Sequence, residues 1–250
     1  MKKPQLNLSR LVIVNLIFEV FFSRKKISYS TFGEDLLLEG LLNRYEFISG
    51  NKLEFSYLDI GAWKPISASN TYVFYKKGYR GTVVEANHYL HTFWKILRPK
   101  DLFMNVACSN EKSVELLLFH PTAESNTTDY NFANKISHAQ KVNVSEIQKV
   151  MGLSLKEIVN SHKATFHGDF ILDLDIEGKD FEVLSTYNLE ENPRPVMIMV
   201  EDVPETKEST FIQSGIHKYL SNAKYSLVGR SAITSIYVDS VHPVASILRY

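Results

Sequence analysis

The chain has 250 residues, enough for one large domain or two small ones and for a sizeable buried core. Lys plus Arg and Asp plus Glu both number 28, so no net charge draws it to nucleic acid; 44% hydrophobic and 22% charged residues exclude a disordered or fibrous chain. The single Cys108 excludes an intrachain disulfide framework and a cysteine-rich zinc site, which fits a reducing, cytoplasmic setting.

Residues 1–27 stand apart as an apolar and basic extension. "LVIVNLIFEVFF" (Leu11 to Phe22) is preceded by Lys2, Lys3 and Arg10 and followed by "RKK" (Arg24 to Lys26). It is shorter than the roughly 20 apolar residues of a spanning helix and carries Glu19. "FFSRKK" is a poor signal-cleavage site. Three readings stay open: a helix packed on the domain or on a second copy in a homodimer, an in-plane membrane anchor across residues 10–26, or a cleaved export signal.

From residue 28 to 250 no Gly-, Pro- or Ser-rich linker and no repeat interrupts the chain, so one domain is expected. "FSYLDIGA" (55–62) reads as a buried strand and "SNTYVFYKKG" (69–78) as a helix closed by Gly78. "GTVVEAN" (81–87) is a second strand, "HYLHTFWKIL" (88–97) a helix stopped by Pro99, and "LFMNVACS" (102–109) a third strand. "SVELLLFH" (113–120) is expected as an extra strand or hairpin partner. Pro121 to Gly152 is polar and irregular, and reads as a mobile loop or lid. "SLKEIVNSH" is a helix with Ser154 as its cap and Glu157 at the capping-box position. "DFILDLDIE" (169–177) is a strand, "GKDFEVLSTY" (178–187) a helix, "VMIMVED" (196–202) a buried strand and "TFIQSGIHKYL" a helix. "YSLVGRS" and "TSIYVDS" close as an antiparallel pair. Repeated βα units predict an α/β fold: a mixed, mostly parallel sheet with helices on both faces and a C-terminal antiparallel hairpin.

In such sheets ligands bind outside the carboxyl ends of the strands, where strand order reverses. Polar residues gather there: Asp59 and Gly61, then Glu85, Asn105 within the third strand, then Asp173, Asp175 and Glu177, and last Glu201 and Asp202. Gly61 lets a ligand approach the backbone closely. Glu85, 24 positions on, can take both hydroxyls of a ribose. "DIGAWKP" lacks the third glycine of G-x-G-x-x-G and offers nothing for a pyrophosphate. A ligand with ribose and adenine but no pyrophosphate satisfies both observations, and S-adenosylmethionine is the commonest; Asp59 would then sit near its amino group. A turn glycine with an unrelated surface glutamate is the alternative.

Four blocks resemble the FkbM family of S-adenosylmethionine-dependent methyltransferases: "YSTFGEDLLL" (29–38), "YLDIGAWKPISASNTYVFYKKGYRGTVVEAN" (57–87), "RPKDLFMNVACS" (98–109) and "FILDLDIEGKDFEVL" (170–184). The tail "KYSLVGRSAITSIYV" is similar to the family's closing strands. The resemblance implies a class I, Rossmann-like methyltransferase domain over 28–250. It puts Asp59, Gly61 and Ala62 on the methionine side of the cofactor and Glu85 on the ribose. Ala86, Asn87, Val106 and Ala107 would flank the adenine, Asn70 and Thr71 the cofactor's polar end or the loop covering it, and Asp175 and Glu177 the reacting methyl. Thr31 stands where the family pattern "SQ-x-G-x-D" has glutamine, which puts that contact in doubt.

Methyl transfer to a hydroxyl needs in-line placement and a base. Candidate bases are Asp175, Glu177, Glu201, His120 and His167. "DLDIE" could also share a divalent ion, but helix capping by Glu177 is an equal reading, and no metal is assigned. The eight histidines have no H-E-x-x-H spacing and read as packing or surface residues, as do the aromatics of "NTYVFYKKGY" as core. "NVS" and "NTT" match the glycosylation acceptor pattern. The expected acceptor is a sugar hydroxyl of a surface glycan or glycolipid. A polyketide-type metabolite, or a non-catalytic protein with a degenerate pocket, are the alternatives.

Overall fold

Strands that read as unbroken apolar runs belong where both sheet faces are covered, and the chain uses them that way. In the computed structural model, which describes residues 12–14, 26–203 and 211–249, the strands are β1 (Phe55–Ile60), β2 (Gly81–Val84), β3 (Leu102–Met104), β4 (Ala107–Cys108), β5 (Ser113–Leu118), β6 (Glu146–Leu153), β7 (Asp169–Leu174), β8 (Met197–Glu201), β9 (Tyr225–Ser231) and β10 (Thr234–Asp239). Seven of them form one sheet in the order β3-β2-β1-β7-β8-β10-β9. β3, β2, β1, β7 and β8 run parallel, while β10 is antiparallel to both β8 and β9. This is the mixed, mostly parallel α/β sheet expected, with its closing hairpin.

Side chains of β1 and β7 alternate between two cores. On one side Tyr57, Val83, Ile171 and Met199 meet Leu38 and Leu41 from the helix Glu34–Ser49, Phe74 from Tyr72–Lys76 and Trp94 from His91–Leu97. On the other, Leu58, Ile60, Phe170 and Leu172 meet the helices Leu155–Thr165, Asp180–Thr186 and Gly215–Asn222. The capping box of Ser154 and Glu157 is formed. Burial of the aromatics of "NTYVFYKKGY" centres on Phe74, which meets Phe55 edge-on at 5.5 Å. Of the histidines, His162 is fully buried, its ring nitrogens each 2.9 Å from Ser56 Oγ on β1 and Thr82 Oγ1 on β2. Burial pushes its pKa down to about 4, so it stays neutral and ties its helix to the sheet.

Three expectations change. Residues 121–152 are not an irregular lid throughout. They contain the helix Tyr130–Gln140, capped by Asp129, and most of β6, which pairs antiparallel with β5 and parallel with β4 in a second, three-stranded sheet. The third strand breaks in two: β3 joins the main sheet, β4 the small one, and Asn105 lies in the break. "TFIQSGIHKYL" becomes a short 3-10 turn over Phe211–Gln213 and a helix from Gly215.

The apolar segment Leu11 to Phe22 lies outside the described residues apart from Val12, Ile13 and Val14, which are helical and exposed. Among the described residues no helix is long and apolar enough to cross a membrane.

Candidate active site

Strand order leaves β1 toward β2 on one side and toward β7 on the other, so the crevice opens above the carboxyl ends of these strands. A cleft partly open to solvent lies there. Its walls come from Gly61 and Trp63 after β1, Glu85 to Asn87 after β2, Val106 to Cys108, the loop 123–128, and Asp175 to Glu177 after β7.

The turn after β1 depends on Gly61, whose φ is +83°. A Cβ there would run into the backbone carbonyl of Asp175, so a glycine is what lets β1 and β7 close together beneath the cleft. Trp63 follows in a left-handed conformation, φ 40°. Its N–H donates to Glu85 Oε2 at 2.9 Å, its indole to Thr122 O at 3.2 Å, and its carbonyl accepts from the Trp94 indole at 2.9 Å. Lys64 lies over the Trp63 ring, 4.1 Å from its centroid. Trp63 therefore binds the β1 turn to β2, to the loop over the cleft and to the helix His91–Leu97.

Glu85 takes the Trp63 N–H on one oxygen and the Asn87 N–H on the other, at 2.7 Å. Burial pushes its pKa up to about 7 against the pull of these two donors. Each carboxylate oxygen keeps a lone pair for a second donor. Asn87 in turn donates to Pro121 O at 2.8 Å, which ties this wall to the loop 121–128.

On the opposite wall the charge is all of one sign. Among the described residues the cleft is lined by Glu85, Glu124, Asp175 and Glu177 and by no Lys, Arg or His. Burial, then the neighbouring Glu201, Glu124 and Asp59, push Asp175 up to about 8. Burial and Asp175 push Glu177 up to about 9, and burial with Asp180 and Glu124 pushes Glu201 up to about 7. Asp175 Oδ1 is buried with no hydrogen-bond partner among the described residues. Glu177 holds φ 54°, and its carbonyl accepts from Thr127 Oγ1 at 2.8 Å. Such a wall asks for a cation or for groups that donate protons.

Beneath the cleft lies a second polar layer. Asp59 on β1 and Asp173 on β7 are register partners, both buried, and burial raises both pKa values. Thr71 Oγ1 donates to Asp59, and Asn70 Nδ2 to Asp173 at 3.3 Å. Arg98, 1% exposed, supplies the counter-charge: it pairs with Asp101 at 2.7 Å, and both its terminal nitrogens donate to Thr71 Oγ1 at 3.0 Å. Its guanidinium stacks over Trp94, 4.6 Å from the ring centroid.

Of the residues singled out by sequence, Gly61, Glu85, Ala86, Asn87, Val106, Ala107, Asp175 and Glu177 line the cleft together. Glu201, ending β8, stands beside Asp175 without lining it. Asp59, Asn70 and Thr71 sit in the layer below, and Ala62 is buried, its N–H on Val84 O at 3.2 Å. His120 touches Thr122, and neither it nor His167 lines the cleft. Glu177 does not cap the following helix, whose N-cap is Lys179 with no side-chain cap hydrogen bond; Asp180 instead braces the preceding turn, accepting from the N–H of Ile176 at 3.0 Å and of Gly178 at 3.4 Å. No cluster among the described residues is arranged to hold a metal ion. Thr31 is exposed, while Asp35 in the same block is buried and accepts from Ser28, Tyr29, Ser30 and Leu36. Trp63, Ala68, Leu116, Glu124 and Thr127 line the cleft without having stood out in the sequence.

These residues fit S-adenosylmethionine: the Gly61 cradle, the spare acceptor capacity of Glu85, apolar walls from Val84, Val106 and Leu116, and, on Asp175, a buried carboxylate oxygen left without a partner that a cationic group would satisfy. Comparison with known families agrees on the class. A family model described as the methyltransferase FkbM domain matches residues 59–227. No curated protein and no solved structure matches the chain.

Proposed function

This chain belongs to the FkbM methyltransferase family, and from that premise we propose that it uses S-adenosylmethionine to O-methylate a sugar hydroxyl of a glycan or glycolipid. The observation that carries the reading is the cleft itself: a ribose-type carboxylate, Glu85, on one side, and on the other an acidic wall that no basic side chain among the described residues neutralises. When bound, S-adenosylmethionine supplies an activated methyl group on a sulfonium. Glu85 would hold the ribose hydroxyls, and Ala86, Asn87, Val106 and Ala107 the adenine. Asp175 and Glu177, with Glu201 beside Asp175, would take the proton a hydroxyl loses. In their ionised form the same carboxylates would repel a uronate or phosphate near the reacting oxygen, which favours a neutral saccharide. A reducing, cytoplasmic setting belongs to the same reading, with Cys108 buried and its thiol pushed up to about 12 by burial.

Incubation with methyl-labelled S-adenosylmethionine and a panel of neutral, aminated and uronate-bearing glycolipids tests the assignment. A methyl ether on a neutral saccharide is expected; transfer confined to uronates would overturn it.

The acidic wall has a pH signature. Its carboxylates sit at about 7 to 9, so each gains charge as pH rises through that range. S-adenosylmethionine carries a sulfonium charge and S-adenosylhomocysteine does not. The preference for the first over the second should therefore grow about tenfold between pH 6 and pH 9, the equivalent of one pKa unit. A ratio of dissociation constants that stays flat across this range would remove the carboxylates from the sulfonium.

A further inference from the structure

The segment His88–Leu97 buries one side and exposes another that is just as apolar. Leu90 and Trp94 enter the core, fully buried. The expected helix over 88–97 is a 3-10 turn, His88–Leu90, followed by the helix His91–Leu97; Tyr89 from the turn, with Phe93, Ile96 and Leu97 of that helix, are apolar and exposed. Their exposures are 41%, 43%, 69% and 43%. A helix that only packs on its own sheet needs one apolar stripe with a polar face opposite. Here exposed apolar side chains stand beside the buried ones, and Thr92 and Lys95 are the helix's exposed polar residues.

We propose that this helix seats the protein on an anionic lipid surface. The argument for lipid over another occupant is charge and chemistry. Between Glu85 and Asp101 the sequence contains no Asp or Glu, and exposed Lys95 and Lys100 lie within the helix and just after it. An acid does meet the segment at its 3-10 turn, Glu146, which accepts from Tyr89 OH at 3.1 Å. Aromatic and branched apolar side chains with flanking lysines are the composition that settles at a headgroup boundary. Position adds a functional reason. Asn87 caps the segment, its side chain accepting from Tyr89 N at 3.1 Å, and the same residue lines the cleft. Seating the helix in the interface holds the adenine side of the cleft at the bilayer, where a lipid-linked acceptor is anchored. The inference concerns described residues distinct from the apolar N-terminal segment and does not depend on which hydroxyl is methylated.

Flotation of the full chain with phosphatidylcholine vesicles, with and without phosphatidylglycerol, tests this. The wild-type protein is expected to bind the anionic vesicles and to be released by salt. The double variant Phe93→Ser/Ile96→Ser, at exposed positions, should bind about tenfold or more weakly, and Lys95→Glu/Lys100→Glu should lose the preference for phosphatidylglycerol. Circular dichroism and thermal melting of both variants should match wild type. Unchanged vesicle binding in both would overturn the proposal, since any binding would then belong to residues 10–26. Stronger vesicle binding by the serine variant would also overturn it, by showing that these side chains normally cover the N-terminal segment. A shift from dimer to monomer in sedimentation velocity, with vesicle binding intact, would assign them to a second copy instead.

Discussion

Replacing Arg98 by alanine is expected to cost about 3–5 kcal/mol of folding stability, the largest effect of any single substitution beneath the site. The guanidinium is fully buried and is bound on every side. Asp101 Oδ2 accepts from its Nε at 2.7 Å, Thr71 Oγ1 from both terminal nitrogens, and Ser69 Oγ lies 3.2 Å from one of them. Removal leaves Asp101 buried with the Tyr57 hydroxyl, at 2.6 Å, and the Gly81 N–H, at 3.2 Å, as its remaining donors. It also strips Asp59 of the positive charge that offsets its burial, beside the like-charged Asp173. A domain of this kind has about 5–15 kcal/mol to lose in total. Urea unfolding of Arg98→Ala and Arg98→Lys should show the lysine variant in between, because it keeps the charge but not the forked donors. A loss below about 1 kcal/mol for Arg98→Ala would mean that the buried network is not what holds the β1 and β2 ends together.

The second large effect is expected at Gly61. An added methyl must adopt φ +83°, which costs about 1–2 kcal/mol, and must also displace the Asp175 carbonyl. That carbonyl has little room to retreat, because the Asp175 N–H is bound to Ile60 O at 3.0 Å. The two strand ends would have to part, moving Asp175 relative to Glu85 across the cleft. Gly61→Ala is expected to lose about 2 kcal/mol or more of stability and to bind S-adenosylhomocysteine more than about tenfold weaker. Thermal melting with titration checks both. Wild-type values in both would show that the turn is looser than its geometry.

What the sequence made legible follows from where each signal is generated. β1, β2, β7 and β8 are buried on both faces, so each reads as an apolar run, and their terminal acids mark the crevice without further information. β6 escapes the sequence pattern for the opposite reason: before Gly152 neither of its sides is fully buried, and exposed Ile147, Lys149 and Met151 alternate with half-buried Glu146, Gln148 and Val150, so no apolar face stands out. A local signal for the helix Tyr130–Gln140 was present in Asp129, a capping residue whose side chain accepts from Asn131 N and Phe132 N. Trp63 could not be read locally, because it acts through Thr122 and Trp94, and Arg98 only in part: its pair with Asp101 is local, but Thr71, which ties it to the layer of Asp59, is 27 residues away. Asp59 was legible as an acid of the site, but its layer was not. It faces the same side of the sheet as Tyr57, where Thr71 and Arg98 reach it from below the cleft.

The central claim is that this cleft holds the adenosyl cofactor with its ribose on Glu85. Calorimetric titration of the intact chain with S-adenosylhomocysteine, alongside Glu85→Ala, tests it most directly. The account predicts one site per chain for the wild type and a loss of about 2–3 kcal/mol in the variant, as for removal of a charge-assisted hydrogen-bonded pair. An intact chain that binds no S-adenosylhomocysteine, or a Glu85→Ala variant that binds it as tightly as wild type, would contradict it.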